Sequence, residues 1–264
     1  MIFKVRVYRF VLRALDRVVF PPGKAGNTLR GALGTMLRAE SVTGSLPSGM
    51  SDPPRPFVLR AWHLDGQTIQ PGEQFWIGIH EFDIAKPMAA EFRQALEALG
   101  KAGLGAGRGR VEMRGEEAGG KIEAIDLGAA GNEHSARIRF VTPVDLKGDA
   151  PAGEIPFGVL FARVRDRIGT LSRLYGGGAI DIDYAAMGER AVRIRTVQAS
   201  LRSQNVERRS SRTGQTHGIG GLTGTVEYAG ELGEFLPWLR AAWWTGAGRH
   251  TVWGNGVMKI DAVE

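Results

Sequence analysis

The stretch Gly246-Ala247-Gly248-Arg249-His250-Thr251-Val252-Trp253-Gly254-Asn255-Gly256 stands between a helical pattern and the last strand pattern of the chain. Its glycines follow G-x-G-x5-G-x-G. A Rossmann fingerprint opens a helix after a strand, and a Walker loop ends in Gly-Lys-Ser/Thr; this stretch does neither. It turns a helix back into a sheet. Glycine accepts positive φ and lets backbone N–H groups approach a phosphate, so the loop suits an anion, although taken alone it suits a plain turn better.

Working backwards from the loop, residues 231–244 place Leu232, Phe235, Leu236, Leu239 and Trp243 on one helical face. Strand patterns lie near 190–202 and 221–229. Residues 157–174 form a helix that buries Leu160, Val164, Ile168 and Leu171 and exposes Arg163, Arg167 and Arg173; residues 136–144 form the strand before it. With a closing strand at 256–262 the order is β-α-β-β-α-β, the ferredoxin-like pattern of an antiparallel sheet with helices on one face.

The first half reads the same way. Phe3, Val5 and Val7 alternate with Lys4 and Arg6, which predicts a strand with one buried face. Pro21-Pro22-Gly23 breaks the chain, and Asn27 can cap a helix with Leu29, Leu33, Met36 and Leu37 inward and Arg30 and Arg38 outward. Residues 41–56 read as a loop, residues 57–63 and 74–80 as strands, with Phe75, Ile77 and Ile79 facing one way. Pro87 opens a helix bearing Met88, Phe92, Leu96 and Leu99, and strands follow at 110–114 and 121–126. The expected fold class is therefore α+β, with two tandem ferredoxin-like domains at 1–127 and 136–264. Gly128–Ser135 forms a linker between them, and there is no direct internal sequence repeat.

The 264 residues carry a formal net charge of +6 and a pI of about 9.9, so polyanions are natural partners, though simple solubility explains that charge equally well. There is no cysteine, which excludes disulfides, thiolate nucleophiles, iron–sulfur clusters and cysteine zinc sites. No H-x3-H or H-E-x2-H spacing occurs, so no metal or other cofactor is expected. The apolar runs are too short for a bilayer span, and the expectation is a cytoplasmic protein with no membrane partner.

Between Leu201 and His217 lie Arg202, Arg208, Arg209 and Arg212 against the single acid Glu207. Ser203, Gln204, Asn205, Ser210, Ser211, Thr213 and Gln215 are interleaved and can donate to phosphates and 2′-hydroxyls. A solvated loop is the alternative, and the arginine density favours RNA. His250, beside Arg249 in the glycine loop, and His217 are placed to hydrogen-bond RNA, move a proton or hold a turn. Trp243 fits the apolar stripe of its helix, while Trp253 in the loop suits packing or stacking on a base.

Four segments stand in the order of one known family. They are Gly26-Asn27-Thr28-Leu29-Arg30-Gly31-Ala32-Leu33-Gly34, the run from Gly103-Leu104-Gly105 to Arg110, Ser210-Ser211-Arg212 with Gly220-Gly221-Leu222-Thr223-Gly224, and the C-terminal glycine loop. In these the chain resembles the CRISPR precursor-crRNA processing endoribonucleases, the Cas6 family of the RAMP superfamily. The resemblance spans nearly the whole chain and implies the same two ferredoxin-like domains. It also implies metal-independent cleavage of repeat RNA, in which a 2′-hydroxyl attacks phosphorus and the 5′-oxygen leaves. The implied partners are precursor crRNA, mature crRNA retained after the cut, and other CRISPR effector subunits.

The family commonly draws a histidine from its first helix or nearby. Here that helix contains none and offers Arg30 and Arg38. In this it resembles the divergent branch found in type IV systems, where arginines are implicated in processing. Arginine stays protonated, so it clamps phosphate rather than moving protons. The resemblance then casts Arg30, Arg38, Arg249, His250 and His217 as catalytic candidates. It casts Lys24, Arg202, Arg208, Arg209, Arg212, Gly246, Gly248, Gly254 and Gly256 as RNA-binding candidates. A non-catalytic RAMP subunit that holds a crRNA end is the alternative, and an unrelated ferredoxin-like scaffold with a basic face is a third reading.

Overall fold

The computed structural model describes residues 1–34, 36–37, 53–105, 107–146, 153–204, 207–209, 216–218 and 220–264. The chain divides into two compact units, one of Val5–Glu123 and one of Met1–Lys4 with Ala124–Glu264.

In the first unit β1 (Ile2–Ala14), α1 (Ala25–Leu33), β2 (Phe57–Arg60), β3 (Gln74–Glu81), α2 (Ala89–Ala102) and β4 (Val111–Glu116) follow in order, and β5 (Lys121–Asp126) completes the sheet on β1. The strand order is β2-β3-β1-β4, with β1 and β3 antiparallel from Arg6 opposite Glu81 to Arg13 opposite Gln74. The expected alternation holds for Phe75, Ile77 and Ile79 of β3 and for Phe3 and Val5 of β1, but in β1 the buried positions then change parity: Val7 is only half-buried, and Tyr8, Phe10 and Leu12 fill the core instead. Phe92 of α2 meets Tyr8 and Phe57 edge-on at 5.5 and 5.4 Å. The segment expected as a strand to residue 63 instead ends at Arg60 and closes in a short 3-10 turn at Trp62–Leu64.

Asn27 does not cap α1. The helix begins two residues earlier, after Lys24, and the Asp65 carboxylate accepts from the N–H groups of Gly23, Lys24 and Ala25 at 2.6, 3.0 and 3.2 Å. A carboxylate at a helix N-terminus satisfies orphan donors and faces the positive end of the helix dipole.

A buried acid sits where β3 meets α2. Glu81 is fully enclosed; it accepts from the Met88 N–H at 2.6 Å and the Tyr8 hydroxyl at 3.0 Å, and Arg6 Nε lies 3.6 Å away. Burial pushes its pKa up to about 7, only partly opposed by the Met88, Tyr8 and Arg6 contacts. Below the ordinary value of 4.5 the carboxyl is protonated in both folded and unfolded chains, so the network contributes fully. As pH rises towards 7 the unfolded chain releases the proton first, and stability falls. Glu81→Gln keeps the acceptor for Met88 without the titration. We expect urea unfolding of the wild type to lose on the order of 2 kcal/mol between pH 4.5 and 7.5, and Glu81→Gln to lose little over the same window. Parallel pH profiles for the two proteins would remove Glu81 as the titrating group.

In the second unit β6 (Ser135–Val144), α3 (Phe157–Tyr175), α4 (Tyr184–Val192), β7 (Arg195–Gln204), β8 (Gly221–Ala229), α5 (Leu236–Thr245) and β9 (Met258–Val263) form a sheet of order β9-β6-β8-β7. In both sheets the first and third strands of the motif are central and the second and fourth lie at the edges, so both units are ferredoxin-like. The core is aromatic: Phe161 meets Phe235 at 4.7 Å and Trp238 at 6.2 Å, and the buried Tyr228 hydroxyl donates to Ile155 O at 2.7 Å. Trp238 is the enclosed tryptophan of α5. Trp243, expected in the core, is partly exposed, with the Lys259 ammonium 5.0 Å from its ring centre.

The strand pattern expected from residue 190 starts at Arg195, because α4 occupies Tyr184–Val192 with Asp183 accepting from Ala186 N–H at 2.9 Å. The helix expected from residue 231 starts at Leu236, although Leu232 and Phe235 are buried as predicted. The segment read as a linker is docked on the second unit. Gly131 N–H donates to Gly233 O at 3.3 Å, Leu232 N–H to Glu133 O at 2.9 Å and Gly230 N–H to His134 O at 2.9 Å. A Cβ on Gly233 would stand 1.8 Å from Gly131 O, so the two strands of backbone meet where no side chain fits. No helix among the described residues is long and apolar enough to cross a membrane.

Candidate nucleic-acid interface

The glycine loop is a folded object. Gly246, Gly248, Gly254 and Gly256 all have positive φ, at 73°, 79°, 91° and 69°, and His250 is left-handed at 60°. A single 3-10 turn, Thr251–Trp253, forms its crest. The two ends are tied by Ala247 N–H to Gly256 O at 2.9 Å. A Cβ on Gly256 would lie 1.9 Å from Ala247 O, and one on Gly248 would lie 2.4 Å from Asp145 O. Gly248 and Gly256 are thus required by the protein's own backbone, whatever the loop binds.

The loop rests on the end of β6. Gly256 N–H donates to Pro143 O and Arg249 N–H to Asp145 O, both at 2.9 Å, and Thr142 Oγ1 donates to Gly254 O at 2.9 Å. The Arg249 guanidinium reaches the Asp145 carboxylate at 3.3 Å across an exposed surface. Exposed pairs of this kind contribute about 0–1 kcal/mol, so Arg249 can exchange its partner for a phosphate at little cost.

The other flank of the same strand end carries the arginine segment. Leu222 of β8 pairs with Val144, and a Cβ on Gly221 would lie 2.4 Å from Val144 O. Further along both arms Glu207–Arg209 and Thr216–Gly218 pair as a two-stranded ribbon. The register does not change: Gln204 opposes Gly221, and Glu207 opposes Gly218 three residues further out on each strand. Arg202 is exposed and opposes Thr223; Arg208 opposes His217, and Arg209 opposes Thr216. The arginines read as lying on a loop or an RNA surface therefore sit on a β-ribbon. Arg212 lies outside the described residues.

Two groups of candidates are therefore brought together. Arg249 and His250 share the glycine loop, Arg208 and His217 are paired in register on the ribbon, and the loop and the start of β8 below the ribbon both rest on Pro143-Val144-Asp145. Lys24 and Arg30 belong to the first unit, at the start and in the last turn of α1; Lys24 is exposed and Arg30 partly exposed. Arg38 lies outside the described residues. Asp145 and Asp65 were not singled out by the sequence, because each acts on a segment far along the chain.

Arg167 corrects the expected exposed arginine row of α3. Arg163 and Arg173 are exposed, but Arg167 turns inward, donates from Nε to Thr245 O at 2.9 Å and has Nη2 enclosed. The end of α5 covers that side of α3, which helical spacing alone does not show.

With this geometry in place, the comparisons are consistent. Residues 138–258 match the family model of the CRISPR-associated endoribonuclease Cas6, and residues 39–135 match a model described as an N-terminal domain. No curated protein matches the chain in sequence. Among solved structures, an RNA-binding RAMP protein shares 15% identity over 97% of this chain and 100% of its own, with a TM-score of 0.52. The fold is thus similar to that of this RAMP protein. A Thermus thermophilus Cas6 solved as a product complex matches at TM-score 0.63 and 18% identity over 98% of this chain and 99% of its own. A second Cas6 product complex matches at 0.59 and 20% identity over 98% and 100%. The chain resembles the CRISPR-associated Cas6 endoribonucleases, in sequence through its C-terminal half and in fold through its whole length.

Proposed function

We propose that this protein binds CRISPR repeat RNA and cleaves the precursor crRNA without a metal, then holds the mature crRNA for other effector subunits. The observation that carries the reading is the convergence of the glycine loop and the arginine-bearing ribbon on the strand end Pro143–Asp145. Arg249, exposed and held only by its exchangeable pair with Asp145, stands on one side of that strand end and the arginine positions of the ribbon on the other, as the charge of a phosphate chain requires. The family match over residues 138–258 and the product complexes of the similar Cas6 structures support RNA as that chain.

In the proposed reaction the 2′-oxygen attacks the adjacent phosphorus, the bond to the 5′-oxygen breaks, and a cyclic phosphate and a 5′-hydroxyl result. Arg30, Arg38 and Arg249 steady the crowded charge, and His250 or His217 transfers the protons. Labelled repeat RNA incubated with the protein in EDTA tests it: the expected products end in a cyclic phosphate. Tight binding with no cut favours the binding-only RAMP reading, which the lack of a histidine in α1 supports. No binding at moderate salt sinks both.

Affinity should fall steeply with salt as counterions return to the contacted phosphates. Replacing Arg208, Arg209 and Arg212 together by alanine should flatten the logarithmic salt slope by roughly 0.7 to 0.9 for each phosphate no longer neutralised. An unchanged slope removes the ribbon from the interface.

A further inference from the structure

One charged side chain of the second unit lies off the exposed basic surface. Arg167 projects from α3 towards the last turn of α5 and donates from Nε to Thr245 O at 2.9 Å. Thr245 is itself buried, and its hydroxyl donates to Gly246 O at 3.0 Å. The Thr245 carbonyl is one of those a helix leaves without an internal partner at its C-terminus, where a cation also meets the negative end of the dipole. The next residue, Gly246, turns to φ 73° and starts the glycine loop. Arg167 as a whole is half-buried, but its Nη2 is enclosed and makes no hydrogen bond, so that part of the charge is held away from water for a single visible bond. An apolar side chain of similar length would pack there without that desolvation, as replacements of buried charges by apolar groups show. Burial lowers the Arg167 pKa only to about 10, so it remains a cation at neutral pH.

We propose that Arg167 is a positioning residue for RNA binding: by holding the Thr245 carbonyl from beneath, it fixes the direction in which the chain leaves α5 and so the aim of the Gly246–Gly256 loop. The RNA half of this statement rests on the function proposed above; the positioning half does not. Arg167 touches no RNA in this scheme, which separates it from Arg249 and from the ribbon arginines.

The test uses the full chain with Arg167→Met, which keeps the apolar stem, and Arg167→Lys, which keeps the charge and one donor. Amide hydrogen exchange needs no RNA. In Arg167→Met the amides of 246–256 should exchange about tenfold faster while those of β6 and β8 keep their wild-type rates, and Arg167→Lys should restore most of the protection. Repeat-RNA affinity of Arg167→Met should fall about tenfold with an unchanged salt slope, because the same phosphates stay neutralised. Wild-type exchange in the loop of Arg167→Met overturns the positioning role. A flattened salt slope overturns it in favour of direct phosphate binding by Arg167. Faster loop exchange with affinity within twofold of wild type overturns the link to RNA. If Arg167→Met does not fold, Arg167→Ala, which also removes the bond to Thr245 O, takes its place, and wild-type exchange with wild-type affinity in it overturns the proposal. Should the wild-type protein bind no repeat RNA, the proposed function fails while the exchange result still stands.

Discussion

Single-turnover cleavage of repeat RNA at saturating protein is expected to fall about 10²-fold when Arg38 is replaced by alanine, the largest loss among Arg30, Arg38, Arg249, His217 and His250. The first helical segment carries arginines and no histidine. A guanidinium cannot exchange protons near neutral pH, so what it offers the reaction is charge and two parallel donors for the phosphorane-like oxygens. Such donors act mainly in the transition state, and removing them shows in the rate at saturation. If Arg30 or Arg249 holds RNA only in the ground state, its removal lowers affinity and leaves that rate intact. The assay is run in EDTA, one variant at a time. A greater rate loss at His217 or His250, with a bell-shaped pH profile near neutrality, would replace this scheme by ordinary acid–base catalysis.

The largest loss of stability is expected at Gly256→Val. A Cβ there stands 1.9 Å from Ala247 O, and φ is 69°, a region that β-branched residues avoid. Backbone overlap and strain together should remove about 3 kcal/mol or more from the second unit, a fall of roughly 10 °C in its melting temperature. Gly246→Ala meets Thr251 Cγ2 at 3.0 Å and the Asn255 carbonyl at 3.2 Å, contacts far milder than at Gly256, and its φ of 73° strains the chain, so it should lose about 1–2 kcal/mol. Calorimetry on the two variants decides it, and equal melting temperatures would mean that the loop rearranges freely. The same overlap at Gly248 means that Gly248→Val lowers RNA affinity through the fold as well as through the surface. Arg249→Ala leaves the backbone intact and is the cleaner probe of how the loop meets RNA.

Much of this fold was legible because it is periodic. Period-two alternation identified β1 and β3, and helical stripes identified α2 and α3, since each buries one continuous face. What escaped is long-range or one-sided. Asn27 has the chemistry of a cap, but Asp65 sits where three N–H groups converge, and no local pattern announces a carboxylate some forty residues away. The α4 helix was hidden inside a segment read for strand, its signal being the single Asp183 cap. Arg167 obeys the spacing of an exposed row, and only the tertiary position of α5 covers it. The glycine loop's place was legible from spacing and its four positive φ angles from composition. Its seat on Asp145 was not, because that contact joins residues more than a hundred positions apart.

The common register of the ribbon and the sheet below it has a consequence for how related chains can vary. From Gln198 opposite Glu227 to Gln204 opposite Gly221, strands β7 and β8 have the same ladder offset as the Glu207–Arg209 and Thr216–Gly218 segments; the one shift in β7–β8 lies at the far end, between Glu227 and Tyr228. Insertions or deletions of equal length on the two arms shift the tip in or out by about 3.4 Å per residue and leave the sheet below untouched. A single unmatched residue on one arm inverts the face of everything beyond it. Reach is therefore a freely adjustable dimension of this molecule, quantised in matched pairs, and the ribbon works as a calliper that evolution or an engineer can lengthen without rebuilding the hand that holds it.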